Sequence, residues 1–299
     1  LVFVRRTGTL ITLLAALALP GAAHAAPTWF APQPISPFGW AIADADIDPD
    51  GNSTALLAGP GGLAITNRAA GGAFGAPQGL PFATGSEPQL GIDDNGGAVV
   101  AWRAQPSGSR QATVRAASGA WQTPVNVSPP EDFNSNLWTL DVGGDGTAAI
   151  AWLGGPTGMS VRVREPGGGF DDIEEIPLDG HSLYLDAPRL HVDGAGGVHL
   201  FMGAYNGDLL HAERPPGGSF GAPEVLMTDA AGMPGAIASS PGGALAVLWT
   251  RLIWEESGGQ SFETVLFARD ADDTDLGPAV TLPVAGVPAI ADDGSMQMA

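Results

Sequence analysis

The chain has 299 residues, with 32 aspartates and glutamates, 12 arginines and neither lysine nor cysteine, for a formal charge of −20. Without cysteine there is no disulfide, thiolate zinc site, iron–sulfur cluster or cysteine nucleophile, and without lysine no Schiff base and no phosphate-loop lysine. The acidity speaks against nucleic acid and anionic membrane as partners, because both attractions need clustered cations.

Residues 1–25 read as an export signal. Arg5 and Arg6 form a positive start, Leu10 to Leu19 is an apolar run broken by Pro20 and Gly21, and Ala23-His24-Ala25 puts small residues where a signal peptidase cuts. The run is shorter than the roughly 20 apolar residues of a membrane span. Thr7 and Gly8 follow the arginine pair, which favours general secretion over the twin-arginine route. The remaining chain, 26–299, is expected to act as a monomer, extracellular or periplasmic, away from membrane and nucleic acid.

Glycine (44) and proline (26) make up almost a quarter of the chain, yet 44% of residues are hydrophobic, so a turn-rich folded protein is expected. A repeat of about 48 residues organises it. An aromatic, a proline three residues on and an aliphatic three further recur as Phe74/Pro77/Leu80, Trp121/Pro124/Val127 and Phe220/Pro223/Leu226. Weaker copies start at Trp29, Phe170 and Leu276. After each comes a short run, a turn with glycine and an alanine- and valine-rich run. The turns read Asp48-Pro49-Asp50-Gly51, Asp93-Asp94-Asn95-Gly96, Gly143-Gly144-Asp145-Gly146, Asp193-Gly194-Ala195-Gly196, Ser239-Ser240-Pro241-Gly242 and Asp292-Asp293-Gly294. Trp102, Trp152 and Trp249 close three of the second runs. A third run ends in arginine: Arg68, Arg115, Arg164, Arg214 and Arg269.

Each unit thus offers four short strands with tight turns, which suits antiparallel sheet. Four strands per 40–50 residues is the size of a β-propeller blade, and radial stacking of blades explains the apolar second run. The expected fold is all-β, a propeller of six four-stranded blades, with five or seven as alternatives. The N-terminal strand, about 28–36, is expected to close the ring and remove a free sheet edge. The alternation of Trp/Phe-x-x-Pro-x-x-Leu with Asp-x-x-Gly-x-Ala-x-x-x-Trp resembles the repeats of secreted bacterial propellers often labelled sialidase-like. The resemblance implies fold rather than activity. Gly96 to Trp102 and Gly146 to Trp152 are six apart, where the sialidase Asp-box has three, and no arginine triad or Tyr–Glu pair can be placed.

Several residues carry candidate chemistry. Asp46, Asp48, Asp50 and Asn52 alternate before and after Gly51 as in a calcium loop, where oxygens two apart converge on a hard cation; Leu57 stands where such a loop has its glutamate. An ordinary hairpin turn is the competing reading. His191, His199 and His211 fall on successive strands of one unit and would bind a transition metal if their register brings them to one face. The repeat arginines are expected to staple strands within a blade, as Arg115 with Asp93. Propeller ligand sites gather where irregular loops meet at one end of the channel. Those loops carry Trp40, Arg103, Glu131, Trp138, Tyr184, Arg189, Trp254 and Glu255, with Arg110, His181 and Tyr205 among their neighbours. Rings beside carboxylates and arginines suit a sugar or a peptide; the same list suits tryptophans that plug gaps between blades.

The expected function is non-catalytic recognition of a glycan or an extracellular protein through the loop-rich end. The alternatives are a glycoside hydrolase or lyase with an acidic site at the channel mouth, and a structural propeller stabilised by divalent cations. Glu131–Asp132 and Glu255–Glu256 are sequence neighbours, so they point to opposite faces of a strand and give no evidence of an acid–base dyad.

Overall fold

A computed structural model describes residues 35–37, 39–80, 85–117, 119–130, 137–155, 158–183, 188–229, 232–254, 258–273, 275–282, 288–290 and 296–298. All regular structure among them is β. The first sheet is β1 (Ala41–Ile47), β2 (Ser53–Gly59), β3 (Gly62–Arg68) and β4 (Gln78–Leu80), antiparallel and in sequence order. The second is β5 (Gly85–Ile92), β6 (Ala98–Ala104), β7 (Arg110–Arg115) and β8 (Val125–Asn126); the third is β9 (Trp138–Val142), β10 (Ala148–Gly155), β11 (Gly158–Arg164) and β12 (Glu174–Pro177). Next come β13 (Arg189–Val192), β14 (Val198–Gly203), β15 (Leu209–Arg214) and β16 (Glu224–Met227), then β17 (Gly232–Ser239), β18 (Leu245–Trp254), β19 (Gln260–Arg269) and β20 (Val280–Leu282). A two-stranded pair, β21 (Pro288–Ile290) and β22 (Met296–Met298), follows. These are propeller blades, five of them four-stranded. The expected ring closure through 28–36 lies outside the described residues apart from Ile35 and Ser36.

Each sequence repeat is offset by one strand from a blade. Leu80 ends the aromatic–proline element and pairs with Leu63 of β3, so that element closes the blade before it instead of opening the next. The arginine that ends the third strand explains the aromatic that follows. The Arg68 and Arg115 guanidinium carbons lie 5.5 and 5.2 Å from the ring centroids of Phe74 and Trp121, a cation–π pair within each blade.

The aspartate turns join first to second strands. Asp48, Asp93 and Asp193 each accept the backbone N–H four residues on, at 2.8, 2.7 and 2.8 Å. Gly51, Gly96 and Gly196 hold φ of 84°, 79° and 87°, the left-handed backbone these turns need. In the fifth blade Ser240 Oγ replaces the carboxylate, accepting from Ala244 N–H at 3.1 Å, and the positive φ falls on Gly243.

The core lies in the seams between blades. Trp102 packs with Leu56, Leu63, Ile65 and Leu80 of the first blade; Trp152 with Val99, Ala101 and Ala112 of the second; Trp249 with Phe201 and Leu209 of the fourth. All three tryptophans are fully buried. Small alanines and valines fill the second strands because these strands are covered on both faces. At the matching position of the fourth blade stands Met202, 1% exposed, in the seam with Met159 and Val161.

Two of the repeat arginines, Arg214 and Arg269, staple neighbouring blades, whereas Arg68 and Arg164 bind within their own blade as expected, Arg68 Nη2 donating to Ser53 Oγ at 2.9 Å and Arg164 Nη1 to the Gly146 carbonyl at 3.1 Å. Arg214 meets Glu165 at 2.8 Å, Glu174 at 3.3 Å and Asp171 at 3.5 Å, all from the preceding blade. Arg269 meets Glu213 at 2.7 Å and Asp193 at 3.6 Å, again from the preceding blade. At these two positions the end of the third strand lies against the blade before it, so the cation finds acids of that blade rather than of its own.

Candidate functional site

The innermost strands are sheet edges, and their free backbone amides need partners. Polar side chains of one blade supply them to the next. Leu90 N–H donates to Asp44 at 2.8 Å and Ile92 N–H to Asp46 at 2.9 Å. Leu140 N–H donates to Gln89 at 2.7 Å and Val192 N–H to Asp141 at 2.7 Å. His191 Nε2 lies 2.9 Å from Ser239 Oγ, with Asp141 3.3 Å from its Nδ1. The channel wall is therefore stitched by carboxylates. Burial raises the Asp46 carboxyl above its ordinary value, and the nearby charges of Asp141 and Asp44 add to this.

The expected calcium string does not converge. Asp46 accepts from Ile92 and Ile47, and Asp48 is buried and accepts from both the backbone and the side-chain amide of Asn52. Asn52 Oδ1 accepts from Ala70 N–H, and Asp50 is exposed. The end of β1 at Ile47 explains this: Asp46 is still in the strand and serves the Ile92 amide of the next blade, whereas Asp48 lies past the strand and closes the turn. Asp46→Asn keeps an acceptor for Ile92 and removes a charge that burial disfavours. A carboxyl with a raised folded-state pKa costs stability at neutral pH, and that cost fades as the pH falls through the raised value to the unfolded one. The variant is expected to melt higher than wild type at pH 7, with the gap closing as the pH falls toward 4; thermal denaturation at both pH values checks this.

At the opposite end, the hairpins between second and third strands meet the connections from blade to blade. Trp40 is half-buried there, its ring flat against Gly59, where a Cβ would stand 2.3 Å from the ring. Arg103 lies 3.7 Å from Glu87, a residue at φ 54°, and Glu87 also accepts the Trp138 indole N–H at 3.2 Å. Trp138 is 3% exposed and fills the seam between second and third blades, so its ring is wall and not platform. Arg110, 1% exposed, lies beneath that surface with its guanidinium carbon 5.8 Å from the Trp152 ring centroid. Arg189 is exposed on β13. Glu131, Tyr184 and Glu255 lie outside the described residues, and Trp254 is described only as the end of β18.

An open cleft of about 470 Å³ lies between the fourth and fifth blades at this end. Its walls are Tyr205, Asn206 and Gly207 from the β14–β15 hairpin, Asp229, and Arg251 to Ile253 of β18. Tyr205 is 52% exposed. The β18 and β19 strands have ten residues each, against six to eight in the second and third strands of the other blades, so this hairpin stands out from the rim. Arg251 is ion-paired with Glu263, which also accepts from Thr281 Oγ1 at 3.1 Å. Asn206 donates to Asp208, which lies 3.6 Å from His181. Sequence reasoning placed Tyr205 among the irregular loops but not Arg251, which sits inside an unbroken strand and became a rim residue only through the strand's extra length.

His199 and His211 do reach one face. They lie in the seam between fourth and fifth blades, 0% and 3% exposed, with Nδ1 of one 3.2 Å from Nε2 of the other. With Glu213 they form a group whose ligand atoms lie within 4.8 Å of one another. His191 belongs instead to the channel wall.

No protein-family model and no curated protein matches the chain. Among solved structures it is similar to hydrazine synthase of Kuenenia stuttgartiensis, with a TM-score of 0.57 at 14% identity over 89% of this chain and 75% of that one. It is also similar to the BP39L lectin of Burkholderia pseudomallei, TM-score 0.55 at 13% identity over 84% of this chain and 78% of that one. The β-propeller domain of the Trilobed protease of Pyrococcus furiosus gives 0.51 at 10% identity over 87% and 84%. At such identities the likeness speaks for the propeller fold and for nothing more.

Proposed function

We propose that this chain is an exported, non-catalytic recognition protein that binds a neutral glycan at its hairpin end. The observation that carries the reading is the open cleft between the fourth and fifth blades, with the half-exposed Tyr205 ring on one wall and Arg251 on the other. A sugar ring presents an apolar face and a belt of hydroxyls. It calls for an aromatic platform beside donors and acceptors that fix its orientation, and cleft volumes of 300–1,000 Å³ suit it. The formal charge of −20 disfavours an anionic glycan. Glu263, ion-paired with Arg251 and accepting from Thr281 Oγ1, holds the Arg251 guanidinium in place as a fixed donor on the cleft wall.

Tyr205→Ala tests this. The ring is exposed, so the substitution should leave the melting temperature unchanged within measurement. Affinity for whichever neutral polysaccharide the wild type retains is expected to fall at least tenfold in affinity electrophoresis. Retention equal to wild type removes the cleft as the binding site.

A further inference from the structure

We propose a transition-metal site of the zinc class in the seam between the fourth and fifth blades, with His199 Nδ1, His211 Nε2 and a Glu213 carboxylate oxygen as its protein ligands. Nothing in the recognition reading requires it, because the cleft lies at the other end of the same seam.

Three observations converge. The first is spacing. His199 Nδ1 is 3.2 Å from His211 Nε2 and 3.8 Å from Glu213 Oε2. Ligands on a tetrahedral zinc at 2.0–2.1 Å stand roughly 3.3 Å apart.

The second is the state of the two facing nitrogens. His199 Nε2 is 3.2 Å from Asp193 Oδ2, and His211 Nδ1 is 3.0 Å from Glu224 Oε1. Arg269 Nη2 stands farther from His199 Nε2, at 3.4 Å. A carboxylate accepts only, so each imidazole carries its proton on the outer nitrogen. The inner nitrogens then face each other as two bare lone pairs in a buried seam. That arrangement is repulsive unless a cation or a shared proton lies between them. Carboxylates on the outer nitrogens are also what orients and strengthens metal-binding histidines.

The third is charge. Asp193, Glu213 and Glu224 bring three negative charges and Arg269 one positive, with both imidazoles neutral. A dication cancels the remaining two. Glu213 has room for both partners: Arg269 Nη1 donates to its two oxygens at 2.9 and 2.7 Å, and a carboxylate has about four lone-pair sites. Its side chain is 29% exposed and Glu224's is 55% exposed, so solvent reaches the edge of the group and leaves a route for the ion and a fourth, water ligand. Two imidazoles and one carboxylate suit zinc, and cobalt(II) as its spectroscopic stand-in, better than the oxygen-seeking calcium or magnesium.

The test is titration of Co2+ into the purified, chelator-stripped protein, followed by its visible absorption. One equivalent is expected to give the intense bands of a tetrahedral ion, displaced by Zn2+. His199→Ala and His211→Ala should abolish them, and Glu224→Gln should weaken binding about tenfold. His181→Ala, on the other end beside Asp208, should change nothing. If the histidine variants do not fold, Glu213→Gln keeps the side-chain shape and must still weaken binding at least tenfold. Absence of the bands in wild type overturns the proposal and leaves a proton shared by the two imidazoles. Undiminished bands in folded His199 and His211 variants overturn it equally.

Discussion

Trp152→Ala is expected to lower unfolding free energy by about 3–5 kcal/mol, the usual cost of truncating a fully buried tryptophan. The indole sits on β10 opposite Trp138 and Ser160 and fills the seam against Val99, Ala101 and Ala112 of the neighbouring blade. Its removal opens a cavity between two sheets rather than within one, and it takes away the ring beside the Arg110 guanidinium. The relevant control comes from the chain itself. Met202 occupies the same place on the second strand of the fourth blade, so Trp152→Met should cost less than half as much as the alanine variant. Urea denaturation midpoints for the two variants check both values. Equal losses for Met and Ala would show that the ring's shape, not its volume, holds the seam.

Arg214→Ala is expected to cost about 2–4 kcal/mol. The guanidinium is 3% exposed and holds Glu165, Glu174 and Asp171 of the preceding blade. Removing one side of a buried ion pair costs about 3–5 kcal/mol, because the partner charges are left uncompensated. The lower part of the range applies here, since Asp171 and Glu165 are substantially exposed and water screens them. Combining Arg214→Ala with Glu174→Gln should return part of the loss if repulsion among the freed acids is its source. A double variant no more stable than the single one would place the cost in lost packing instead.

Much of this fold could be read from the sequence because its determinants are local. Antiparallel neighbours within a blade are also neighbours in sequence, so Asp93-Asp94-Asn95-Gly96 and the run ending at Trp102 show a turn and a strand without any tertiary knowledge. The histidines were partly legible for the same reason. His199 and His211 lie on adjacent strands, and only the register, His199 opposite Glu213 and Phe201 opposite His211, decided that they share a face.

What the sequence hid depends on how blades sit against one another. Arg269 finds Asp193 and Glu213, not an acid of its own turn, and no spacing within a repeat shows that offset. Asp46 looked like a calcium ligand because Asp48 and Asp50 follow at alternate positions. In the fold it serves the Ile92 amide of the next blade. Trp138 looked like a loop aromatic because irregular sequence precedes it, yet it begins β9 and is walled in by Glu87. Arg251 gave no signal, since a longer strand differs from its equivalents only in where the hairpin turns.

The most direct test of the recognition reading exposes the purified protein to a panel of neutral polysaccharides and records both retained protein and released sugar. Retention without release, lost in Tyr205→Ala, is the predicted result. Released sugar, or no retention on any member of the panel, would contradict it.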